Sequence, residues 1–365
     1  MNHITPPHRW LRSIALVGLI ALSTAVIACN DEDPGATPAA TPTQTQAPTA
    51  APSTPTTTPT QPGLAPLTLM LNWTPNAHHA GIYLALANGW YEDAGLDLDI
   101  VEPAMTGVEQ VIGTGGADIG ISVAESLLPA RAAGIPIVSI ATILPYNDSS
   151  FMALAEAGIT RPRDFEGKTY GGYGGALETE LLQALVACDG GDPALVDMVE
   201  VGNIDYLAGM EQGRFDFVWV FEGWDALRAR EVTGDEITTV KFVEWLDCIP
   251  DWYTPLFIAS TDLIETQPDL VQAFIEVTAR GYEAAIADPE AAADALLAAA
   301  PELDETLVRA ATMYHAPKFV GEAPWGVQDT ESWSRFGEFL VQAGLLDEAV
   351  DTDAAFTNEF LLLEP

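Results

Sequence analysis

Basic residues are scarce in this chain. Only 14 of its 365 residues are Lys or Arg, against 53 Asp and Glu, and the lysines are Lys168, Lys241 and Lys318 alone. A net charge of −39 leaves no cluster able to neutralise nucleic-acid phosphates, so nucleic-acid partners are excluded. A basic patch for an anionic lipid surface is excluded on the same ground. Cysteine is equally sparse, with Cys29, Cys188 and Cys248 scattered along the chain. Long apolar runs are missing too. The N-terminal run, Ile14 to Ala28, has 15 residues, short of the roughly 20 that span a bilayer. What the chain does have is 48% hydrophobic and 8% aromatic residues, enough for a large core and against global disorder. Its length suits about two domains or one two-lobed unit.

The first 28 residues read as an export signal. Arg9 and Arg12 precede the short apolar run, and Val26-Ile27-Ala28 leads into Cys29. Small residues before a lone cysteine resemble a bacterial lipoprotein signal, so Cys29 is expected to carry lipid and attach the chain to a membrane. Residues 29–65 are rich in Thr, Pro, Ala and Gln without apolar periodicity. They are expected to form an unfolded tether of reach approaching roughly 100 Å, at ~3.1 Å per residue. In an oxidising compartment, Cys188 and Cys248 are either bridged or two buried thiols, and both fit the sequence.

From Leu67 onward, apolar runs of period two alternate with helical spacing. Strands are expected at 67–73, 96–101, 118–122 and 135–144, with a helix over 79–94. A second block starts near Gly158, with strands at 168–172, 198–201, 216–220 and 239–243. The segment 255–260 then reads as a strand returning to the first block, and 268–345 is mostly helical and Ala-rich. The alternation predicts an α/β protein with mainly parallel sheets and helices on both faces. The expected lobes are residues 66–155 plus 256–365, and residues 156–255. Two crossings imply a hinge and an interlobe cleft where a ligand would bind.

Leu71-Asn-Trp-Thr-Pro-Asn-Ala-His-His-Ala-Gly-Ile-Tyr-Leu-Ala85 runs into Asn88-Gly-Trp-Tyr-Glu-Asp-Ala-Gly-Leu96. This opening resembles the substrate-binding proteins related to thiamine-pyrimidine synthesis enzymes. Asp118-Ile-Gly-Ile-Ser122, Asp164-Phe-Glu-Gly-Lys168 and the Gly-Arg-Phe-Asp-Phe run at 213–217 extend the resemblance over most of 67–290. The resemblance implies a two-lobed periplasmic-binding-protein fold (type II-like) serving an ATP-driven importer, with a permease and an ATPase subunit as partners. It implies a formylated aminopyrimidine or riboflavin as ligand. The enzyme branch carries clustered cysteines and a lysine that holds a pyridoxal cofactor. This chain lacks the cysteine cluster and carries an export signal, so a binder without cofactor is expected rather than an enzyme.

Aromatics near strand ends make the case for a flat ring, because ligands of open α/β sheets sit beyond the carboxyl ends of strands. Trp73 is expected to stack on the ring, with Asn76 and His79 bonding its edge. Ser122 and Glu125 follow the third strand, and Tyr146 and Asn147 follow the fourth. Tyr170-Gly-Gly-Tyr-Gly-Gly-Ala-Leu-Glu178 is a strand, a Gly-rich turn and a helix start without the Lys-Ser/Thr of a P-loop. The N–H groups of that turn are candidates to cradle a polar group, which singles out Tyr173, Gly174 and Glu178. Glu178 is equally read as a first-turn helix stabiliser. Trp219 and Phe221 share a strand face taken as core, which leaves Glu222 and Trp224 for the cleft. Trp252 and Tyr253, just before the second crossing, are expected to clamp the ligand on closure. Adjacent His78 and His79 do not share a helix face, so no metal site is expected there. His315 reads as a surface or satisfied histidine. An exported enzyme using Glu178 with His78 or His79 is the competing reading. It lacks any visible nucleophile with base and orienting group. A sulfonate or nitrate binder would call for donors that this segment does not offer, and a sensor ectodomain would need a membrane-spanning signalling segment.

Overall fold

The computed structural model describes residues 63–103, 107–202 and 204–362. The export signal, Cys29 and nearly all of the tether lie outside the described residues.

Two five-stranded sheets form the framework. Strands β1 (Ala65–Met70), β2 (Leu96–Val101), β3 (Ile119–Ser122) and β4 (Ile137–Thr142) belong to the first sheet. Strands β5 (Ser149–Leu154), β6 (Thr169–Gly172), β7 (Asp197–Glu200), β8 (Phe217–Phe221) and β9 (Ile237–Lys241) make the second. Strand β10 (Leu256–Ser260) returns to the first, giving the orders β2-β1-β3-β10-β4 and β7-β6-β8-β5-β9. In register, Leu69 lies opposite Ile119, and Phe257 opposite Ile121.

The sheets are mixed rather than mainly parallel. β10 runs antiparallel to β3 and β4, and β5 antiparallel to β8 and β9. The second lobe also begins earlier than the sequence suggested. Ser149–Leu154, assigned above to the first lobe, is an interior strand of the second sheet, so the boundary falls near 148 rather than 155. The expected helix over 79–94 is broken at Gly89, whose φ of 71° separates Ala80–Ala87 from Trp90–Asp93. The segment after β8 forms two π-helical turns, Glu222–Ala226 and Arg228–Thr233, in place of an α-helix.

Apolar faces explain the packing. In the first lobe, Leu69, Ile121, Ile140 and Phe257 are fully buried under the helix Pro268–Ala287, which contributes Phe274 and Tyr282. In the second, Phe165 stacks on Phe217 at 4.2 Å, and the helix Ala176–Cys188 buries Leu181, Leu182 and Leu185. Asp288, Asp304 and Asp329 each cap a C-terminal helix by accepting a backbone N–H. Cys188 and Cys248 are bonded, which decides between the two sequence readings and fastens that second-lobe helix to the turn after β9. Among the described residues, no helix is long and apolar enough to cross a membrane.

Candidate functional site

A cavity of about 510 Å³ opens at the carboxyl ends of the strands and takes its walls from both lobes. That volume lies within the ~300–1,000 Å³ range of small-molecule sites. Asn72, Trp73, Asn76, His78 and Glu125 line it from the first lobe. Tyr173, Glu178, Tyr206, Trp219, Phe221 and Trp224 line it from the second, with Asp225 and Arg228 as its other charged groups.

Trp73 lies past β1, lines the cavity and is 48% exposed. Tyr173 is likewise 51% exposed, and its hydroxyl pairs with that of Tyr206 at 2.5 Å. Asn76 reaches the cavity but spends its amide on the loop. It accepts from the His78 N–H at 3.0 Å and donates to the Thr74 carbonyl at 3.0 Å. His79 is fully buried and does not line the cavity. Its Nδ1 accepts from the Asn76 N–H, so Nε2 donates to Asn72 Oδ1 at 3.1 Å. Burial pushes its pKa down to about 3 and keeps it neutral. The cavity histidine is instead His78, which the sequence analysis named only beside Glu178 in the competing enzyme reading and in the histidine pair.

The Gly-rich turn is already filled. Tyr173 N–H and Gly175 N–H donate to Glu178 at 3.0–3.1 Å, and Tyr170 OH donates to it at 3.0 Å. The donors that would have cradled an outside anion hold the chain's own carboxylate at the helix start. Gly174 supplies the left-handed conformation of that turn, at φ 80°, and is not among the cavity residues.

Other expected residues lie elsewhere. Ser122 is buried and donates to Glu109. Tyr146, Asn147 and Glu222 border a separate recess of about 390 Å³. Glu222 is buried there between Arg230 at 2.6 Å and Lys241 at 3.8 Å, and accepts from Ser150 Oγ. Trp219 and Phe221, taken as core from the sequence, line the cavity, and Trp219 also packs on Phe151 and Phe242; Glu222 does not line it. Trp224, by contrast, is on the cavity wall. Trp252 and Tyr253, expected to clamp the ligand, lie in the core and are not among the cavity residues. Trp252 stacks on Phe336 at 4.9 Å, and the Tyr253 hydroxyl donates to Asp329 at 2.7 Å. Both are buried.

Trp252 reaches the cavity residues from behind, donating from Nε1 to Glu125 Oε2 at 2.8 Å and meeting Trp219 edge to face. Burial raises the Glu125 carboxyl to about 7, and Asp225 nearby is raised to about 6 for the same reason. Burial disfavours the charged form of Glu125 in the folded state only. Its contribution is therefore absent in acid and becomes a penalty as pH rises from the unfolded pKa through about 7. Glu125→Gln keeps the bond from Trp252. It is expected to stabilise the protein at pH 8.5 by on the order of 1–2 kcal/mol, while matching the wild type near pH 4. Urea midpoints at the two pH values test this; equal gains at both would remove ionisation as the cause.

Comparison with known proteins now adds to the geometry. Residues 76–292 match the family model described as NMT1/THI5 like. The chain is 27% identical to the formylaminopyrimidine-binding protein of Halalkalibacterium halodurans, over 81% of this chain and 90% of that one. It is 29% identical to the riboflavin-binding protein RibY of Chloroflexus aurantiacus, over 82% and 87%. A 4-amino-5-hydroxymethyl-2-methylpyrimidine phosphate synthase of Legionella pneumophila is 26% identical, over 81% and 92%. The family thus includes both binding proteins and enzymes. Among solved structures, the periplasmic aliphatic sulphonate binding protein SsuA of Escherichia coli has the same fold, with a TM-score of 0.62 at 14% identity over 80% of this chain and 91% of that one. The alkanesulfonate-binding protein SsuA of Xanthomonas axonopodis aligns with a TM-score of 0.60 at 14% identity, over 82% and 99%. The α/β fold is the two-lobed one of the periplasmic binding proteins, and the chain belongs to the NMT1/THI5-like family.

Proposed function

We propose that this protein is the extracytoplasmic, lipid-anchored binding component of an ATP-driven importer, and that it captures a flat heteroaromatic vitamin, riboflavin in the first instance. The observation that carries this reading is the aromatic wall. Trp73 from one lobe faces Tyr173, Tyr206, Trp219, Phe221 and Trp224 from the other around one cavity. That is more ring surface than a single six-membered ring can cover, which favours a tricyclic flavin. Offset stacking contributes ~0.5–1.5 kcal/mol per aromatic pair beyond burial. The filled Gly-rich turn argues against a phosphate or sulfonate ligand, since its donors already face Glu178.

Glu125 favours a second reading, a formylaminopyrimidine. A carboxyl titrating at about 7 can both donate and accept along an aminopyrimidine edge. In either case the protein binds and releases its ligand unchanged. Ligand docks on Trp73, the lobes close to add contacts from the second sheet, and the closed form meets the permease while the ATPase subunit drives release. No nucleic acid takes part. Lipid on Cys29 would keep the protein at the outer face of the cytoplasmic membrane. Titrating tryptophan fluorescence with riboflavin is expected to give saturable quenching together with loss of flavin emission. Saturation by the formylaminopyrimidine alone would transfer the assignment to the pyrimidine, and silence with both would sink the vitamin reading.

A further inference from the structure

Behind the cavity wall, three buried groups from distant parts of the chain converge. His78 follows β1, Asp148 precedes β5, and His315 ends the helix Glu305–His315. All three are buried, and their ligating atoms lie within 4.8 Å of one another. The two imidazoles meet edge to face at 4.5 Å.

Hydrogen bonding fixes the orientation of each group. His315 Nδ1 lies 2.8 Å from the Ala311 carbonyl, which can only accept, so Nδ1 carries the hydrogen. Nε2 of the same ring points at Asp148 Oδ2, 3.4 Å away, and has no hydrogen-bond partner. In the neutral ring that is a lone pair facing a carboxylate, which is repulsive. Asp148 is itself held in place, its Oδ1 accepting from Tyr314 OH at 2.8 Å and its Oδ2 from Gly223 N–H at 2.7 Å. Nε2 of His78 is also buried without a partner. Gly223 packs against this cluster so closely that a Cβ there would lie 2.3 Å from His315 Nε2.

A second proton on His315 would relieve the contact with Asp148 but would leave His78 Nε2 unmet. A divalent cation meets all three groups. We propose that His78, Asp148 and His315 bind one zinc ion, tying the loop after β1 and the helix Glu305–His315 to the crossing into the second lobe. Two imidazoles and one carboxylate suit zinc rather than magnesium or calcium. The Ala311 carbonyl, Tyr314 hydroxyl and Gly223 N–H supply the supporting bonds that orient such ligands. Bonds of ~2.0–2.2 Å require the cluster to contract by roughly 1 Å on binding. The sequence reading weighed the adjacent pair His78 and His79 for a metal and took His315 as a surface or satisfied histidine; the fold replaces His79 with His315.

The test uses the full chain, stripped with a chelator and titrated with Zn²⁺ in excess Mg²⁺, so that the acidic surface is occupied. One zinc per chain and a raised thermal midpoint are expected. His78→Gln and Asp148→Asn are each expected to weaken zinc binding by at least about tenfold with the circular dichroism unchanged. Co²⁺ is expected to give the visible bands of four-coordinate nitrogen–oxygen ligation, which decides the matter should a variant fail to fold. Zinc held no better than magnesium, variants that keep wild-type affinity, or a cobalt spectrum of purely aqueous type would each overturn the site.

Discussion

Trp252→Ala is expected to destabilise the fold by about 3–5 kcal/mol, the usual loss for a buried indole. Trp252 is 2% exposed, stacks on Phe336, and contacts Trp219 and Phe242. Its removal also strips Glu125 of the N–H that meets its carboxyl in a buried place. Trp73→Ala, at a half-exposed position, should leave unfolding within about 0.5 kcal/mol of wild type. It should nevertheless weaken ligand binding at least about tenfold, the order of one lost stacking partner with its buried area. Urea unfolding and fluorescence titration of both variants separate the two roles. Wild-type affinity in the Trp73 variant would take that residue out of the site. Wild-type stability in the Trp252 variant would contradict its place in the core.

Loss of the Cys188–Cys248 bridge is expected to cost about 4 kcal/mol, from the chain entropy of a closed loop of some 60 residues. The bridge lies wholly within the second lobe, joining the end of the helix Ala176–Cys188 to the turn after β9. The whole effect should therefore appear in unfolding, and ligand affinity should change little in the folded population. The double variant Cys188→Ala/Cys248→Ala is compared with wild type in urea, with and without reductant. Reductant should lower the wild-type midpoint and leave the variant unmoved. Coincident midpoints for wild type and variant would mean that the bridge adds nothing to the folded state.

The strands were legible where apolar alternation is strong. Leu96–Val101, Ile119–Ser122 and Leu256–Ser260 all fall within a residue of their expected bounds. β5 was missed because Ser149-Ser-Phe-Met-Ala-Leu154 has no alternation and little β-branching. It is a strand because β8 and β9 hold it from either side. The site was legible as a set of loops but not residue by residue. Alternation says that Trp219 and Phe221 share a face, and says nothing of which face the core takes. The same limit applied to the histidines. A turn of 3-10 helix at Ala77–His79 aims the His79 ring inward at Asn72 and the His78 ring at His315 beside the cavity, and neighbouring residues carry no periodic signal to tell them apart. The destiny of Glu178 as filler of its own turn was readable from spacing, since a carboxylate at the third helical position commonly bonds back to the cap.

Strand order also governs the sequence of assembly. β3 and β4 never pair with each other, because β10 lies between them. A chain delivered N-terminus first therefore holds β4 without a strand partner until residues 256–260 emerge, after the whole second sheet has been made. Contacts distant in sequence form slowly, so completion of the first sheet waits until the whole second sheet has been made.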